Sequence, residues 1–353
     1  MEKYNIKIME VNMKRFRFVA VLFLIMVSLC ACTNSNNNDV PKDAEDVKDE
    51  NNVTEVKSDF PKKTITLVVP FGPGGVSDQV ARVFERNAKQ YMPNGQGLVV
   101  VNKGGGASVP GATEIANAKP DGYTIGLMLD GPLLIQPHMG NATYTPDDFE
   151  PIIRIATNPL IFAVHADSQF QTFQEWLDYV KANPDSFIYG TGGIGNTPWI
   201  AMQRMIDETD IKLKYTPFSS TSEVYTAMLG KHIDGECANS QEMMNQSNSG
   251  SIRMLVNLGT TKKDFFEDVP TMKELGYDMS TEVLYGFVAP KGTPDEIIQI
   301  LHDVFKETLE DPETVKVLED MGVCINYGDR EEFKKTIDQK YEEFGEVLKE
   351  LNN

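Results

Sequence analysis

The apolar and polar positions of residues 65–129 predict strands that alternate with helices. Three short aliphatic runs have little polar alternation, which is typical of strands buried on both faces: residues 65–69, 98–101 and 123–129. Between them, residues 80–91 and 112–118 carry apolar side chains at helical spacing. This order predicts an α/β fold with a parallel sheet.

The remainder of the chain repeats the pattern and predicts a second lobe. Two apolar runs within residues 152–165 are expected to lead into it. Residues 172–175 (TFQE) form a capping box for a helix. We interpret the apolar stripe of that helix as core rather than as an aromatic ligand platform: Phe173, Trp176, Leu177 and Val180. Further strands are predicted at residues 187–189, 213–215, 233–239, 254–258 and 285–289.

The last of these strands is expected to return the chain to the first lobe, and everything after it is predicted to be helical. Thr293 is the expected N-cap of one helix and Pro294 its first residue, and Asp311 and Pro312 repeat this arrangement. A final amphipathic helix is predicted to extend to Leu351.

A glycine-rich loop at residues 70–78 (PFGPGGVSD) separates the first predicted strand from its helix, with Ser77 or Asp78 as the expected N-cap. Glycine lets backbone N–H groups approach a ligand closely, and the helix dipole favours an anion at this end. The loop therefore predicts a site for a carboxylate or phosphate, although a plain chain turn has the same sequence features. Neither G-x-G-x-x-G nor Gly-Lys-Ser/Thr is present here, which argues against a nucleotide.

Three further loops follow the same design. Residues 102–111, 190–198 and 216–223 each follow a predicted strand, precede a predicted helix and are rich in glycine or hydroxyl side chains. Ligands of open α/β sheets bind at the carboxyl ends of the strands. The repetition therefore favours a shared ligand site over four unrelated turns.

The composition of the chain limits the classes of molecule that it is expected to bind. The 353-residue chain has a net charge of −19 and a pI of about 4.7, which argues against binding to nucleic acid or to anionic lipid. Its length suffices for two lobes. Four scattered histidines and no G-x-S-x-G or H-E-x-x-H motif predict no catalytic residue, and no Cys/His spacing predicts a metal or other cofactor.

The N-terminal residues predict export and anchoring. A basic segment with Lys14, Arg15 and Arg17 precedes an apolar run too short to span a bilayer comfortably, so residues 1–31 are predicted to be a signal peptide that starts at Met1 or Met13. The sequence before Cys32 resembles a lipobox and predicts lipidation of that cysteine, with an ordinary cleaved signal peptide as the alternative.

Residues 32–61 are Asn-rich and then acidic, which predicts a tether. Together with lipidation, this places the protein at the outer face of the bacterial cytoplasmic membrane. Cys237 and Cys324 are expected to be small buried hydrophobes, with a disulfide left open.

Five stretches resemble the extracytoplasmic solute receptors of the tripartite tricarboxylate transporter family. They occur in the family's order and span most of the chain after the tether: residues 69–78 (VPFGPGGVSD), 101–106 (VNKGGG), 119–124 (KPDGYT), 269–276 (VPTMKELG) and 286–294 (GFVAPKGTP).

The resemblance implies a type II periplasmic-binding-protein-like fold, with two lobes of mixed or parallel sheet flanked by helices and joined by a two-strand hinge. We expect residues 62–160 and 286–353 in lobe 1 and residues 161–285 in lobe 2. Such receptors are monomeric, are not enzymes, and close on a small carboxylate that they deliver to a large and a small membrane subunit. A lipoprotein that serves a sensor, or a hydrolase or transferase with an oxyanion site, are the alternatives.

The resemblance also implies the site residues. Two loops of lobe 1 are expected to grip a carboxylate: Phe71, Gly72, Gly74, Gly75 and Ser77 in the first, and Gly105, Gly106, Ala107 and Ser108 in the second. Two loops of lobe 2 are expected to contact the rest of the ligand: Thr191, Gly193, Asn196, Thr197, Phe218, Ser219 and Ser220. The chain departs from the family pattern at Lys103 and at residues 218–220, where a possible cation is missing, so a mono- or dicarboxylate is as consistent as a tricarboxylate.

Overall fold

The computed structural model describes residues 59–351, except for the side chains of Asp264 and Leu351. The predicted signal peptide, the lipidation site at Cys32 and nearly all of the tether lie outside the described residues. Within the described part of the chain, no helix is both long and apolar enough to cross a bilayer.

Among the described residues, ten strands form one sheet, in the spatial order β2-β1-β3-β9-β4-β7-β5-β6, with β8 and β10 also paired to β4. Their bounds are β1 Ile65–Val69, β2 Leu98–Asn102, β3 Thr124–Leu129, β4 Phe149–His165, β5 Ile188–Thr191, β6 Lys214–Pro217, β7 Gly235–Asn239, β8 Ile252–Asn257, β9 Glu282–Pro290 and β10 Ile325–Gly328.

The sheet has a parallel group at each end, joined by two antiparallel strands. Strand β1 pairs in parallel with β2 and β3, and β5 pairs in parallel with β6 and β7. The 17-residue β4 runs antiparallel to β9 over its first part and to β7 and β8 from Leu160 onward. The mixed α/β architecture expected from the sequence is thus confirmed, and β4 and β9 are the strands through which the two halves meet.

Nine α-helices cover the described part of the sheet: α1 Val76–Asn87, α2 Val109–Ala116, α3 Phe173–Ala182, α4 Thr197–Thr209, α5 Thr221–Leu229, α6 Ser240–Ser247, α7 Asp295–Glu310, α8 Pro312–Asp320 and α9 Arg330–Leu351. A π-helical turn, Gly131–Ile135, continues into a short helical turn, Gln136–His138. Short 3₁₀ segments occur at Ala88–Gln90, Pro93–Gly95, Gly106–Ser108, Pro146–Asp148 and Asp264–Phe266.

Two predicted helix starts are wrong. Helix α1 begins at Val76 with Gly75 as its N-cap, because the Asp78 carboxylate accepts a hydrogen bond from the Gly74 amide and so fixes the turn before the helix. Pro294 is the N-cap of α7 rather than its first residue, since the Thr293 hydroxyl donates to the Pro290 carbonyl instead of capping the helix.

The prediction that everything after β9 is helical is also wrong. Strand β10 pairs antiparallel with β4, and the Arg154 guanidinium donates to the carbonyl oxygens of Asn326 and Tyr327. Four residues are too few to show a period of two, so this strand depends on a tertiary contact that the local sequence does not indicate.

The hydrophobic core confirms the assigned stripes. Phe173, Trp176 and the rest of their stripe on α3 are fully buried, and Phe162 and Phe187 pack against the indole ring. The capping box before α3 is present, with the Glu175 amide donating to the Thr172 hydroxyl. Both cysteines of the folded region are free and buried, as expected for small hydrophobes.

Gly286 in β9 offers a test of core packing. A Cβ atom at this position would lie 2.2 Å from Cζ of the buried Phe333 on α9. We expect Gly286→Ala to lower the free energy of unfolding by about 1–3 kcal/mol, because overpacking strains a close-packed core. Urea denaturation measures the change. Gly97→Ala is the matched control, since a Cβ there meets no atom within 4 Å, and equal stability of the two variants would contradict the packing argument.

Candidate ligand-binding site

The first two glycine loops pack directly against each other at the carboxyl ends of β1 and β2. A Cβ atom at position 104 would lie 2.6 Å from the Gly72 amide nitrogen, and one at position 111 would lie 2.8 Å from the Pro70 Cα. The Asn102 side-chain amide also donates to the Phe71 carbonyl at 3.2 Å. Glycine is therefore required at both positions for the loops to meet, and they form one continuous surface.

The first loop is ordered by a carboxylate of the chain itself. Asp78, which is buried, accepts from the Gly74 amide at 2.8 Å and pairs with the Arg82 guanidinium at 3.0 Å. Burial alone would raise the pKa of Asp78, but the hydrogen bonds from Gly74 and Asn102 and the charge of Arg82 hold it below its usual value. Asp78 thus stays ionised and leaves the amides of Val76 and Ser77, which have no acceptor within the helix, for other partners.

The second loop holds an unusual backbone conformation. Four consecutive residues have positive φ: Gly105 at 93°, Gly106 at 52°, Ala107 at 53° and Ser108 at 68°. For alanine and serine this left-handed conformation costs about 1–2 kcal/mol each. Such strain concentrates at functional sites, and runs of amides in these conformations make concavities for anions. Residues 103–107 of the loop are exposed, whereas Ser108 is buried.

A third element of this half, which the sequence reading did not assign to the site, follows β3. Gln136, at the end of the π-helical turn, is buried and donates to the Gly195 carbonyl at 3.4 Å. The Met139 sulfur packs against Gly195 so closely that a Cβ there would lie 2.1 Å away. This turn therefore contacts a loop of the other half. The sequence signal was the Gly-Pro pair after a parallel strand, and π-helical turns are frequent at functional sites.

The two predicted loops of the second half also adjoin each other. The Phe218 amide donates to the Thr191 carbonyl at 3.2 Å, and a Cβ at Gly192 would lie 3.0 Å from the Thr221 amide nitrogen. The loops therefore lie side by side at the carboxyl ends of β5 and β6.

Several predicted residues of these two loops have structural partners. The Thr191 hydroxyl is fully buried and bonds to the Gly193 carbonyl and to the Tyr215 hydroxyl. Asn196 and Ser220 are the N-caps of α4 and α5. Thr197 is buried, whereas Ser219 and Ser220 are exposed and Phe218 is partly exposed.

Strand β7 and helix α6 place two acids beside these loops. Glu236 is fully buried, and burial together with the nearby Glu242 carboxylate raises its pKa to about 8. Glu242 accepts from the Asn239 amide at 3.3 Å in the first turn of α6, and burial raises its pKa as well, opposed by hydrogen bonds from Thr221 and Asn239. The sequence predicted a strand at residues 233–239 but did not assign either acid to the site.

The sequence matches a known family over most of its length. The family model described as "Tripartite tricarboxylate transporter family receptor" matches residues 80–353. The chain belongs to this family. The resemblance seen in its motifs is therefore confirmed.

Individual receptors agree with this assignment. A curated relative from Cupriavidus necator, described as a UPF0065 protein in the gbd 5′ region, is 33% identical over 72% of this chain and 76% of its own length. The crystal structure of a TctC solute-binding protein from Polaromonas without ligand has 29% identity and a TM-score of 0.72, covering 82% of this chain and 99% of the other.

Two less similar structures share the fold. MatC from Rhodopseudomonas palustris with bound malate has 23% identity, a TM-score of 0.71, and covers 82% of this chain and all of the other. A second R. palustris protein, with adipate, has 24% identity, a TM-score of 0.72, and covers 82% and 98%. Members and neighbours are solute-binding receptors with two lobes, so the expected fold class and the interpretation as a receptor rather than an enzyme are confirmed.

The buried acid of this receptor predicts a pH-dependent stability. The pKa of Glu236 is about 8 when folded against 4.5 when unfolded, so the folded state binds the proton more tightly. Its contribution to stability is complete below pH 4.5 and is lost as the pH rises through 8. We expect Glu236→Gln, which mimics the protonated acid, to gain stability relative to the wild type between pH 5 and pH 8.

Urea denaturation at several pH values measures this difference. Glu175→Gln, which removes an exposed carboxylate at the start of α3, serves as the control and should follow the wild type. Parallel stability curves for Glu236→Gln and the wild type would show that burial of Glu236 does not perturb its titration.

Proposed function

We propose that this protein is an extracytoplasmic receptor that binds a small organic acid between two lobes and delivers it to the membrane subunits of a tripartite tricarboxylate transporter. The observation that supports it best is the mutual packing of the two glycine loops at the carboxyl ends of β1 and β2. Family membership and the malate and adipate found in two neighbours of the same fold support a carboxylate as the ligand.

The carboxylate is held by backbone amides. The first turn of α1 offers the amides of Val76 and Ser77, and the exposed left-handed stretch from Gly105 to Ala107 offers further amides, while the Ser108 amide donates to the Gly105 carbonyl. Amide donors need no net positive charge, so this site is compatible with an acidic protein. The residues predicted from the family resemblance in these two loops form the anion site of the proposal.

Closure of the lobes completes the site. We take residues 62–160 with 286–353 as one lobe and residues 161–285 as the other, with β4 and β9 as the hinge. The contacts of Gln136 and Met139 with Gly195 cross between the lobes and are contacts of the closed form. A ligand that contacts both lobes favours closure because it binds the closed form more tightly.

Lipid on Cys32 holds the receptor at the outer face of the cytoplasmic membrane. The acidic tether separates the monomeric binding domain from that membrane. The closed form is the one presented to the large and small membrane subunits, so that only loaded receptor donates its ligand. This part of the proposal rests on the sequence of residues 1–61 and on the family.

A thermal-shift panel tests the ligand class. Ligands that bind only the folded state raise the melting temperature, by an amount equivalent to about 2.7 kcal/mol when their concentration is 100 times Kd. We expect at least one of a set of aliphatic monocarboxylates, dicarboxylates, tricarboxylates and aromatic acids to raise it by several degrees. No shift with any acid would overturn the proposal.

Gly104→Ala tests the loop assignment. The new methyl group would collide with the Gly72 backbone and separate the two loops, so we expect a loss of affinity of at least tenfold for whichever acid binds the wild type. Calorimetry measures the affinity, and circular dichroism checks the fold. Gly97→Ala, which precedes β2 and meets no neighbour, should bind normally. Unchanged affinity of Gly104→Ala would show that the carboxylate lies elsewhere.

A further inference from the structure

The two halves of the proposed cleft differ in the groups they offer to a ligand. In the second half, acids of the chain accept hydrogen bonds from backbone amides that directly precede α5 and α6. The Ser219 amide donates to the Glu223 carboxylate at 3.0 Å, and the Asn239 amide donates to the Glu242 carboxylate at 3.3 Å. An anion of the chain thus lies at the N-terminus of α5 and of α6 before any ligand arrives, whereas α4 has Asn196 as its N-cap and no acid in its first turn.

No basic side chain compensates for these acids within the loops. Residues 191–197, 218–222 and 239–242 contain no Lys, Arg or His. Arg204, on α4, is engaged with the Glu343 carboxylate at 2.5 Å and with the carbonyl oxygen of Ser280. The second loop of the first half, in contrast, has exposed residues, and its Lys103 pairs with the Glu114 carboxylate at 3.2 Å.

Glu236 adds an unusual observation. It is fully buried, and neither of its carboxylate oxygens has a partner within strict hydrogen-bond geometry among the described residues, although the Gln246 side chain is near enough to lower its pKa. It lies in register with Gly190 at the end of β5 and with Ala163 of β4. Ala163 belongs to the cluster that includes Val224 of α5 and Met243 of α6, so the Glu236 side chain lies on the face covered by these two helices.

Glu242 connects this buried acid to the ligand loops. Its carboxylate lies at the start of α6 near the Thr221 side chain, which opposes the rise in the pKa of Glu242. Thr221 in turn packs on Gly192 of the loop after β5. The Glu242 side chain is only partly buried, whereas the neighbouring Glu236 side chain is fully buried. The two acids therefore provide one accessible and one enclosed acceptor group.

We propose that the ligand is a zwitterionic ω-amino acid, whose carboxylate binds the glycine loops of the first half and whose ammonium group binds Glu242, with Glu236 behind it. This assignment rests on the proposed function and specifies its ligand class. An ammonium group has three donors and no acceptor, which complements a set of carboxylate oxygens. Its charge-assisted hydrogen bonds are among the strong ones. A second carboxylate at this end would instead meet the Glu242 side chain, which presents acceptor oxygens.

Matched pairs of ligands test the assignment. Succinate and 4-aminobutanoate, glutarate and 5-aminopentanoate, and adipate and 6-aminohexanoate each have equal chain lengths and differ only in one terminal group. Calorimetry on the protein without residues 1–31 is expected to show at least tenfold tighter binding of the amino acid in the pair of the best length.

The outcomes separate the two proposals. If a dicarboxylate binds as tightly as its amino counterpart or more tightly, this assignment is overturned while the carboxylate receptor stands. If no acid binds, including those of the wider panel, the proposed function fails and this assignment fails with it.

Variants test the role of Glu242. We expect Glu242→Gln to weaken binding of the preferred amino acid at least tenfold and to leave or improve binding of the matched dicarboxylate. Glu175→Gln is the control, because Glu175 fills the same capping position on α3, where it accepts from the Gln171 amide at 2.7 Å, and lies outside the proposed site. Equal losses for both ligands with Glu242→Gln would show that Glu242 only caps α6, and would overturn the assignment.

Discussion

The close approach of two backbone segments is the constraint on which the proposed site depends. Gly104 lies against the Gly72 backbone and Gly111 against Pro70, at distances that leave no room for a Cβ atom. The parallel pairing of β1 and β2 brings both loops to the same edge of the sheet, and the absence of side chains lets them join. The start of α1 and the strained stretch from Gly105 to Ser108 are thereby brought to one edge of the sheet.

The two halves of the proposed cleft differ in the charges near their loops. In the first half, Asp78 is an internal anion that orders the loop through the Gly74 amide while Arg82 balances its charge. In the second half, Glu223 and Glu242 occupy loop and helix amides, and no cation within those loops balances them. A carboxylate on a backbone amide thus occurs in both halves, and in the first half a paired guanidinium balances its charge.

The long helix α9 makes polar contacts with Asp130, β9 and α4. Lys340 pairs with the buried Asp130 at 3.4 Å and donates to the Glu282 carbonyl of β9 at 2.6 Å. Burial raises the pKa of Asp130, whereas Lys340 and the Leu284 amide lower it. The Asp130–Lys340 ion pair therefore joins the end of β3 to α9, and the Leu284 amide joins it to β9. Glu343, one turn further along, binds Arg204 of α4. Movement of one half relative to the other must therefore alter contacts of α9.

The sequence by itself determined the α/β class, nearly all of the strands, the core stripe of α3 and the two glycine loops, because hydrophobic period and glycine content are local properties. It also carried enough family motifs to place the chain among solute receptors. Only the tertiary structure decided what depends on neighbours distant in sequence. Strand β10 exists through pairing with β4, Gln136 joins the site because it reaches Gly195, and Glu236 is notable because its buried oxygens lack a partner within strict hydrogen-bond geometry. A residue's partners are set by packing, and the sequence around it does not record them.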